Sequence, residues 1–286
     1  MPAAVTRPFR FGLIAAIPPP GRTWLDQARQ AEALGFSTLQ VPDTLSTFAS
    51  FPAMAAAAAV TSTLRVGSYV LATPHHRPAA VAHQALTLDV ISGGRLELGL
   101  GLGRPDAQRE AEQLGVEFGT PGERIEHLRA TLAAVRGRYA APSGPLQPVQ
   151  TPCPPILIPA LGPRMLRLAA AEADIVEVGV PVEASEEDLA AKAAELREYA
   201  GDRAGRLELA FNLTVVGREE TWMTRMLGAD PARLLAIGAV RAIDGTPAEM
   251  ADVLRRRRDL TGVSYVQVGA LVAEKFAPVV ELLAGT

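Results

Sequence analysis

The sequence predicts an α/β fold, a (β/α)8 TIM barrel with a small helical insertion after strand seven. Apolar runs of strand length alternate with amphipathic stretches of helix length, and this alternation occurs eight times along the chain. The length of 286 residues suits one such barrel, and 48% hydrophobic residues are enough for a large core. Alternation alone also allows an open doubly wound sheet, but the count of eight favours the barrel. We therefore expect residues 1–286 to form a single domain.

The first half of the chain predicts four strands, with helices after the first three. Thr23 and Asp26 form a capping box that begins the first helix, and Gly35 ends it. Glu97 places a charge inside the fourth strand and therefore needs a buried partner, for which Arg65 and Arg95 are the candidates. The predicted strands are residues 9–16, 37–41, 64–71 and 95–100, and the helices are residues 24–34, 51–60 and 78–90.

The second half repeats the pattern after a polar excursion over residues 104–119. Two further capping boxes, Thr120 with Glu123 and Thr246 with Glu249, begin helices that run to about residues 136 and 260. The other predicted helices are residues 163–171, 185–200 and 275–283, and the strands are residues 156–159, 174–178, 206–216 and 264–268.

Residues 219–237 are predicted as an inserted helical pair after strand seven. This insertion carries Trp222, Met223 and Met226. These side chains suit a lid over a pocket, but at helical spacing core packing or a dimer contact is the favoured interpretation.

Composition excludes several classes of protein. A formal net charge of −3 without a basic stripe argues against nucleic acid as a partner. Cys153 is the one cysteine, so an internal disulfide and a cysteine-based zinc site are excluded. The histidines lack metal-ligand spacing, and no apolar run is long enough to span a membrane. We expect a cytoplasmic protein that acts on a small molecule and binds no metal, nucleic acid or membrane.

In a (β/α)8 barrel the chemistry lies where strands end at their carboxyl side. Applied to strands two to five, this rule gives the following candidate site residues: Asp43, Thr44, Ala72, Thr73, His75, His76, Gly101, Leu102, Gly103, Arg104, Ala160, Leu161, Gly162, Pro163 and Arg164.

Each of the charged candidates has a functional and a structural interpretation. Gly162 to Arg164 open a helix and could seat a phosphate on free backbone N–H groups, or form an ordinary turn. Asp43 could accept a hydrogen bond from a ligand or cap the next turn. His75 and His76 are adjacent, so at most one is expected to point into a pocket. A solvated loop position is the default interpretation for both, and a proton donor is the alternative for one of them.

Several segments together resemble the luciferase-like oxidoreductases. The most specific is LDVISGGRLELGLG at residues 88–101, supported by LRVG at 64–67, AEALGF at 31–36, PPILI at 154–158 and ADIV at 173–176. The short length and the ending from Gly245 to Gly285 are most similar to the branch that uses the deazaflavin coenzyme F420 instead of FMN.

The resemblance implies a cofactor pocket at the carboxyl ends of the strands. It assigns the cofactor ring to Gly101 to Arg104 and to a strand-three bulge with a non-prolyl cis peptide near Leu71 to Thr73. It assigns the cofactor phosphate to Gly162 to Arg164. Asp43 matches the family's strand-two aspartate, but Thr44 stands where a proton-transferring histidine is common, so His75, His76 or a water held by Asp43 or Thr44 are the candidates for that role.

The implied activity is hydride transfer between coenzyme F420 and an unidentified small organic substrate by a homodimeric enzyme. Two alternatives keep the fold: an FMN-dependent monooxygenase, and a non-catalytic member that binds a flavin-like ligand or none. Thr44, Leu102 and Pro159 depart from the family pattern and keep the last alternative open.

Overall fold

The computed structural model describes residues 7–104, 106–221, 224–225 and 228–286. The strands in these ranges are β1 (Arg10–Ile14), β2 (Thr38–Val41), β3 (Arg65–Ser68), β4 (Leu71–Ala72), β5 (Leu96–Gly101), β6 (Ile156–Ala160), β7 (Ile175–Val178), β8 (Glu208–Leu213), β9 (Val215–Val216), β10 (Ala242–Ile243) and β11 (Val263–Gly269). The helices are α1 (Trp24–Ala33), α2 (Ser50–Ala59), α3 (Pro78–Ser92), α4 (Ala107–Leu114), α5 (Pro121–Ala140), α6 (Pro163–Glu172), α7 (Glu186–Ala200), α8 (Pro231–Ala236), α9 (Pro247–Thr261) and α10 (Ala273–Leu283).

The main sheet confirms the predicted (β/α)8 barrel. Its strands follow the order β3-β2-β1-β11-β8-β7-β6-β5-β4, and an additional pairing of β3 with β5 closes the ring. The strand predicted over residues 64–71 is broken into β3 and β4, which both pair in parallel with β5. Between them lies a non-prolyl cis peptide that joins Tyr69 to Val70. The expected position near Leu71 to Thr73 was therefore slightly too far along the chain.

The described chain forms two compact units. What we call the N-terminal unit contains residues 15–32 and 38–158. What we call the C-terminal unit contains the described residues of 159–286, together with residues 7–14 and 33–37 from the start of the chain. The assignment of residues 1–286 to one domain stays a prediction.

Glu97 in the N-terminal unit has one of its two predicted partners. Its side chain is 4% exposed, and the Nε of Arg65 donates to its Oε1 at 2.7 Å. Arg95 instead donates to the backbone carbonyls of Ala58, Leu64 and Ser92. A charge within a barrel strand is thus neutralised by a neighbouring strand, as expected for a buried carboxylate.

Helix α4 was not predicted, because the stretch that contains it is almost entirely polar. Only Ala107 and Ala111 are buried in α4, so its apolar face contains two small residues and lacks the large apolar side chains at helical spacing that indicate a helix. Gly115 ends α4 in the left-handed conformation with a φ of 67°.

The insertion after strand seven is described only in part. Asp230 caps α8 by accepting hydrogen bonds from the N–H groups of Ala232 and Arg233. Leu234 of α8 packs in a small buried cluster with Val215 and neighbours. Trp222, Met223 and Met226 lie outside the described residues, so their role stays a prediction.

Glu32 joins the end of α1 to the segment that leads into β3. Its Oε1 accepts hydrogen bonds from the N–H groups of Ser62, Thr63 and Leu64 at 2.8, 2.6 and 2.9 Å. Burial tends to raise the pKa of Glu32, but these donors outweigh it and lower the pKa from 4.5 to about 2. The ionised form is therefore favoured in the folded protein.

We expect stability to depend on pH through Glu32. A depressed carboxylate pKa contributes stability that is fully present above pH 4.5 and is lost as the pH falls towards 2. Glu32→Gln should lower the free energy of unfolding by about 2 kcal/mol at pH 7, discounted because the side chain is partly exposed. Urea unfolding from pH 7 to pH 3 should show this difference shrinking. Glu198→Gln, an exposed acid on α7, is the control; a Glu32→Gln effect independent of pH would contradict the assignment.

Candidate functional site

Asp43 joins the ends of two strands of the N-terminal unit. It follows β2 after Pro42, and its Oδ2 accepts a hydrogen bond from the Ala72 N–H at 3.0 Å. The same oxygen lies 2.8 Å from Nε2 of His76. The Asp43 side chain is 14% exposed and that of His76 is 26% exposed. The structure thus brings together two predicted site residues in a half-buried pair.

The Asp43 carboxylate is arranged to accept two hydrogen bonds. Its Oδ2 accepts from the Ala72 amide and faces Nε2 of His76, and an ionised carboxylate only accepts, so the imidazole tautomer that fits this contact carries its proton on Nε2. Among the described residues, no group hydrogen-bonds Nδ1 of His76. An imidazole held through one nitrogen by a carboxylate can exchange a proton through the other.

The backbone of His76 is also fixed. Its N–H donates to the Thr73 carbonyl at 3.0 Å, and its carbonyl lies 2.9 Å from Nε2 of His127 on α5. His127 was not predicted as a site residue. Nothing in its sequence context distinguishes it, because the contact joins residues 51 positions apart.

His75 has a different environment from its neighbour. Its Nε2 lies 3.1 Å from the carbonyl of Ala107 at the start of α4, and its ring centroid is 6.3 Å from that of Phe118. The two histidines therefore contact different elements, as expected for adjacent residues. Among the described residues, a carboxylate pairs with His76 and none pairs with His75.

Thr44, Ala72 and Thr73 have partners within the protein. The Thr44 hydroxyl lies 2.9 Å from that of Ser46, in the turn after β2. The Ala72 N–H is bound to Asp43, and the buried Thr73 hydroxyl donates to the Gly101 carbonyl at 2.9 Å. These bonds hold the turn after β4 against the ends of β2 and β5.

Gly101, the last residue of β5, and Gly103 after it both have close neighbours within the protein. A Cβ on Gly101 would lie 2.6 Å from Cγ2 of Val70, and a Cβ on Gly103 would lie 2.8 Å from the Phe118 ring. Gly103 also has a φ of +76°, which glycine adopts most readily. These contacts give an internal reason for both glycines, beside the predicted approach of a ligand.

The residues that follow Gly101 are more accessible to solvent. Leu102 and Gly103 are partly exposed, and Arg104 is exposed and forms an ion pair with Asp106 at 3.2 Å. Pro105 lies outside the described residues.

The predicted phosphate segment belongs to the C-terminal unit. The Ala160 carbonyl accepts from the Gly179 N–H at 2.9 Å, and Leu161 is exposed. Gly162 is the N-cap of α6 without a side-chain cap, Pro163 occupies the first turn, and the Arg164 side chain is exposed. Open N–H groups and a cation suit an anion, but phosphate binding here stays a prediction.

The described part of the chain contains neither a metal-ligand cluster nor a membrane-spanning helix. No group of three or more His, Cys, Asp or Glu side chains there is arranged to hold a metal ion. No helix within the described ranges has the length and apolarity needed to cross a membrane.

The comparisons with known proteins agree with this architecture. Residues 4–222 match the family model described as luciferase-like monooxygenase. A phthiodiolone/phenolphthiodiolone dimycocerosates ketoreductase of Mycobacterium tuberculosis is 28% identical over 195 residues, which cover 62% of this chain and 50% of that protein.

Two solved structures show the shared fold. The coenzyme F420-dependent tetrahydromethanopterin reductase from Methanopyrus kandleri has a TM-score of 0.69 at 18% identity, covering 97% of this chain and 98% of that one. The monooxygenase RslO1 from Streptomyces bottropensis has a TM-score of 0.68 at 21% identity, covering 96% and 97%. With the family match extending over most of the sequence, the chain belongs to the luciferase-like monooxygenase family.

Proposed function

We propose that this chain is an oxidoreductase that transfers a hydride between coenzyme F420 and a small organic substrate, with His76 exchanging the accompanying proton. The observation that carries the proposal is the half-buried Asp43–His76 pair. The resemblance implies that a proton-transferring histidine is common at the position after Asp43, where this chain has Thr44. His76 lies against the same aspartate from another strand end, so it can take that role.

The residues of this site suit a cofactor that carries the redox chemistry itself. The described residues Asp43 and His76 supply acid–base groups, and F420 would supply or accept the hydride when bound. His76 gives a proton to the substrate oxygen during reduction, or removes it during oxidation. Asp43 orients the imidazole, while His127 fixes the backbone of His76.

The main alternative is an FMN-dependent monooxygenase. The family description and the RslO1 structure favour it, whereas the F420-dependent reductase favours the first proposal. A deazaflavin does not readily activate oxygen, so oxygen consumption during turnover separates the two activities.

The first experiment is a binding titration of the purified protein with coenzyme F420 and FMN in parallel. We expect dissociation constants in the micromolar range or tighter for F420, with weaker binding of FMN. A preference for FMN, with oxygen consumption, would move the protein to the monooxygenase class. Binding of neither would support the non-catalytic alternative and reject the enzyme proposal. Because one relative is a ketoreductase, carbonyl compounds are the first substrates to screen with reduced F420.

Two further parts of the proposal come from the sequence alone. We propose a homodimer, by family resemblance and because two-fold dimers are the commonest oligomers, and a cytoplasmic location. Sedimentation of the purified protein tests the first.

A further inference from the structure

Two neighbouring strands of the C-terminal unit carry polar side chains in one row, and a third strand places a glycine beside them. In the parallel pairing, Gly12 of β1 is opposite Gln267 of β11, and Gln267 is opposite Asn212 of β8. Phe11 makes an edge contact with Phe276 of α10, so the residue after it, Gly12, faces away from that helix. Gln267 and Asn212 share this face by register.

The amides in this row are buried, and three of their four polar atoms lack a partner in the described part of the chain. Gln267 is 0% exposed, and neither its Oε1 nor its Nε2 has a hydrogen-bond partner there. Asn212 is 5% exposed; its Oδ1 accepts from the Thr214 hydroxyl at 3.3 Å, while its Nδ2 has no partner among the same residues. Buried polar groups are almost always hydrogen-bonded, so these atoms indicate a group that binds here.

The position of the row is that of a ligand site. Gln267 and Asn212 lie near the carboxyl ends of β11 and β8, where (β/α)8 barrels bind their ligands. Gly12 beside Gln267 has no side chain, so it adds no competing bulk to this face.

The free atoms define the chemistry of the partner. Neighbouring strands are about 4.8 Å apart, so the two amides lie side by side. The Gln267 amide can turn about its last side-chain bond, and one of its two orientations places Oε1 next to Nδ2 of Asn212. The three free atoms then follow the order Nε2 (donor), Oε1 (acceptor) and Nδ2 of Asn212 (donor). The complementary edge is carbonyl, N–H, carbonyl, as found in a cyclic imide. Deazaflavin and flavin rings both end in such a pyrimidinedione.

We infer that Gln267 and Asn212 recognise the imide edge of the cofactor ring. The inference rests on the proposed function only in requiring a ring of this class. Oε1 of Gln267 accepts from the imide N–H, and the two amide NH2 groups donate to the flanking carbonyls. The row contributes binding and orientation, and it takes no part in proton transfer.

The test compares binding of two rings with their N3-methylated forms. The probes are riboflavin and the deazaflavin chromophore without its phosphate tail, each with its imide nitrogen free or methylated. For the wild-type chain we expect methylation to weaken binding at least about tenfold, because Oε1 of Gln267 loses its donor. Gln267→Leu should weaken binding of the free rings by a similar factor, about tenfold, and should remove most of the discrimination.

Controls separate ligand binding from folding. Ser264 lies on the same strand as Gln267, is also buried, and carries a hydroxyl without a partner in the described chain. It is outside the row, so Ser264→Ala should leave ring binding unchanged. The melting temperature of ligand-free Gln267→Leu should not fall, since a leucine of similar size replaces an unsatisfied amide. The wild-type discrimination against methylated rings tests the inference even if that variant does not fold.

The outcomes distinguish this inference from the proposed function. Binding of free and methylated rings with equal affinity by the wild-type chain would overturn the imide site alone. Binding of riboflavin but not of the deazaflavin would reject F420 as the cofactor. The comparison of free with methylated riboflavin would then still test the imide site. If the wild-type chain binds no ring, both are overturned. A lower melting temperature for Gln267→Leu with unchanged ring affinity would assign the row to buried water.

Discussion

His76→Asn is expected to lower kcat for hydride transfer by about 10²–10³-fold, the usual contribution of a positioned proton donor. Asparagine cannot exchange a proton near neutral pH. The measurement is the absorbance change of F420 with the best carbonyl substrate from the screen. The dissociation constant of F420 should change by less than about threefold, because the hydride carrier is held by other groups.

Asp43→Asn provides a second test of the same pair. Asp43 and His76 act as a unit through the 2.8 Å contact, so the double variant should lose little more activity than His76→Asn alone. His83→Asn, on the exposed face of α3, makes the same chemical change and should retain full activity. Full activity in His76→Asn, with a loss in His75→Asn, would transfer the role to the other histidine.

The order of strands and helices could be predicted because its signals are local. The capping boxes of Thr120 with Glu123 and of Thr246 with Glu249 are both present in the structure, at the predicted helix starts. The helix predicted to run to about residue 260 ends at Thr261, and Gly262 after it is in the left-handed conformation. Each signal depends on residues within one turn of the helix, so no tertiary information is needed.

The Asp43–His76 pair could be predicted only in part. The rule that sites lie at strand ends selected both residues, but the contact joins positions 33 residues apart. Whether Asp43 meets His75, His76 or neither depends on how the chain turns after β4. The break between β3 and β4 sets that turn. Residues 64–71 were predicted as one strand, and the resemblance implied a bulge near Leu71 to Thr73 without indicating which side chains the turn would bring to Asp43.

Gly99→Ala is expected to lower the free energy of unfolding by about 4 kcal/mol or more, at the upper end of single substitutions. A Cβ on Gly99 would lie 2.1 Å from the Ser68 carbonyl oxygen, and a backbone atom cannot move aside by changing rotamer. The Ser68 hydroxyl also accepts from the Gly99 N–H at 3.0 Å and donates to its carbonyl at 2.7 Å. Relief of the clash would therefore break two buried hydrogen bonds between β3 and β5. Urea unfolding, or the soluble yield if the variant does not fold, measures the effect.

Gly137→Ala is the matched control, and it should have the opposite sign. Gly137 lies within the exposed part of α5, and a Cβ there would meet no described atom within 4 Å. Alanine in a helix interior is favoured over glycine by about 0.5–1 kcal/mol, so this variant should be more stable than the wild type. A loss below about 1 kcal/mol in Gly99→Ala would show that β3 and β5 can separate easily. The packing at Gly99 would then not be what fixes the turn that carries Ala72 and His76 to Asp43.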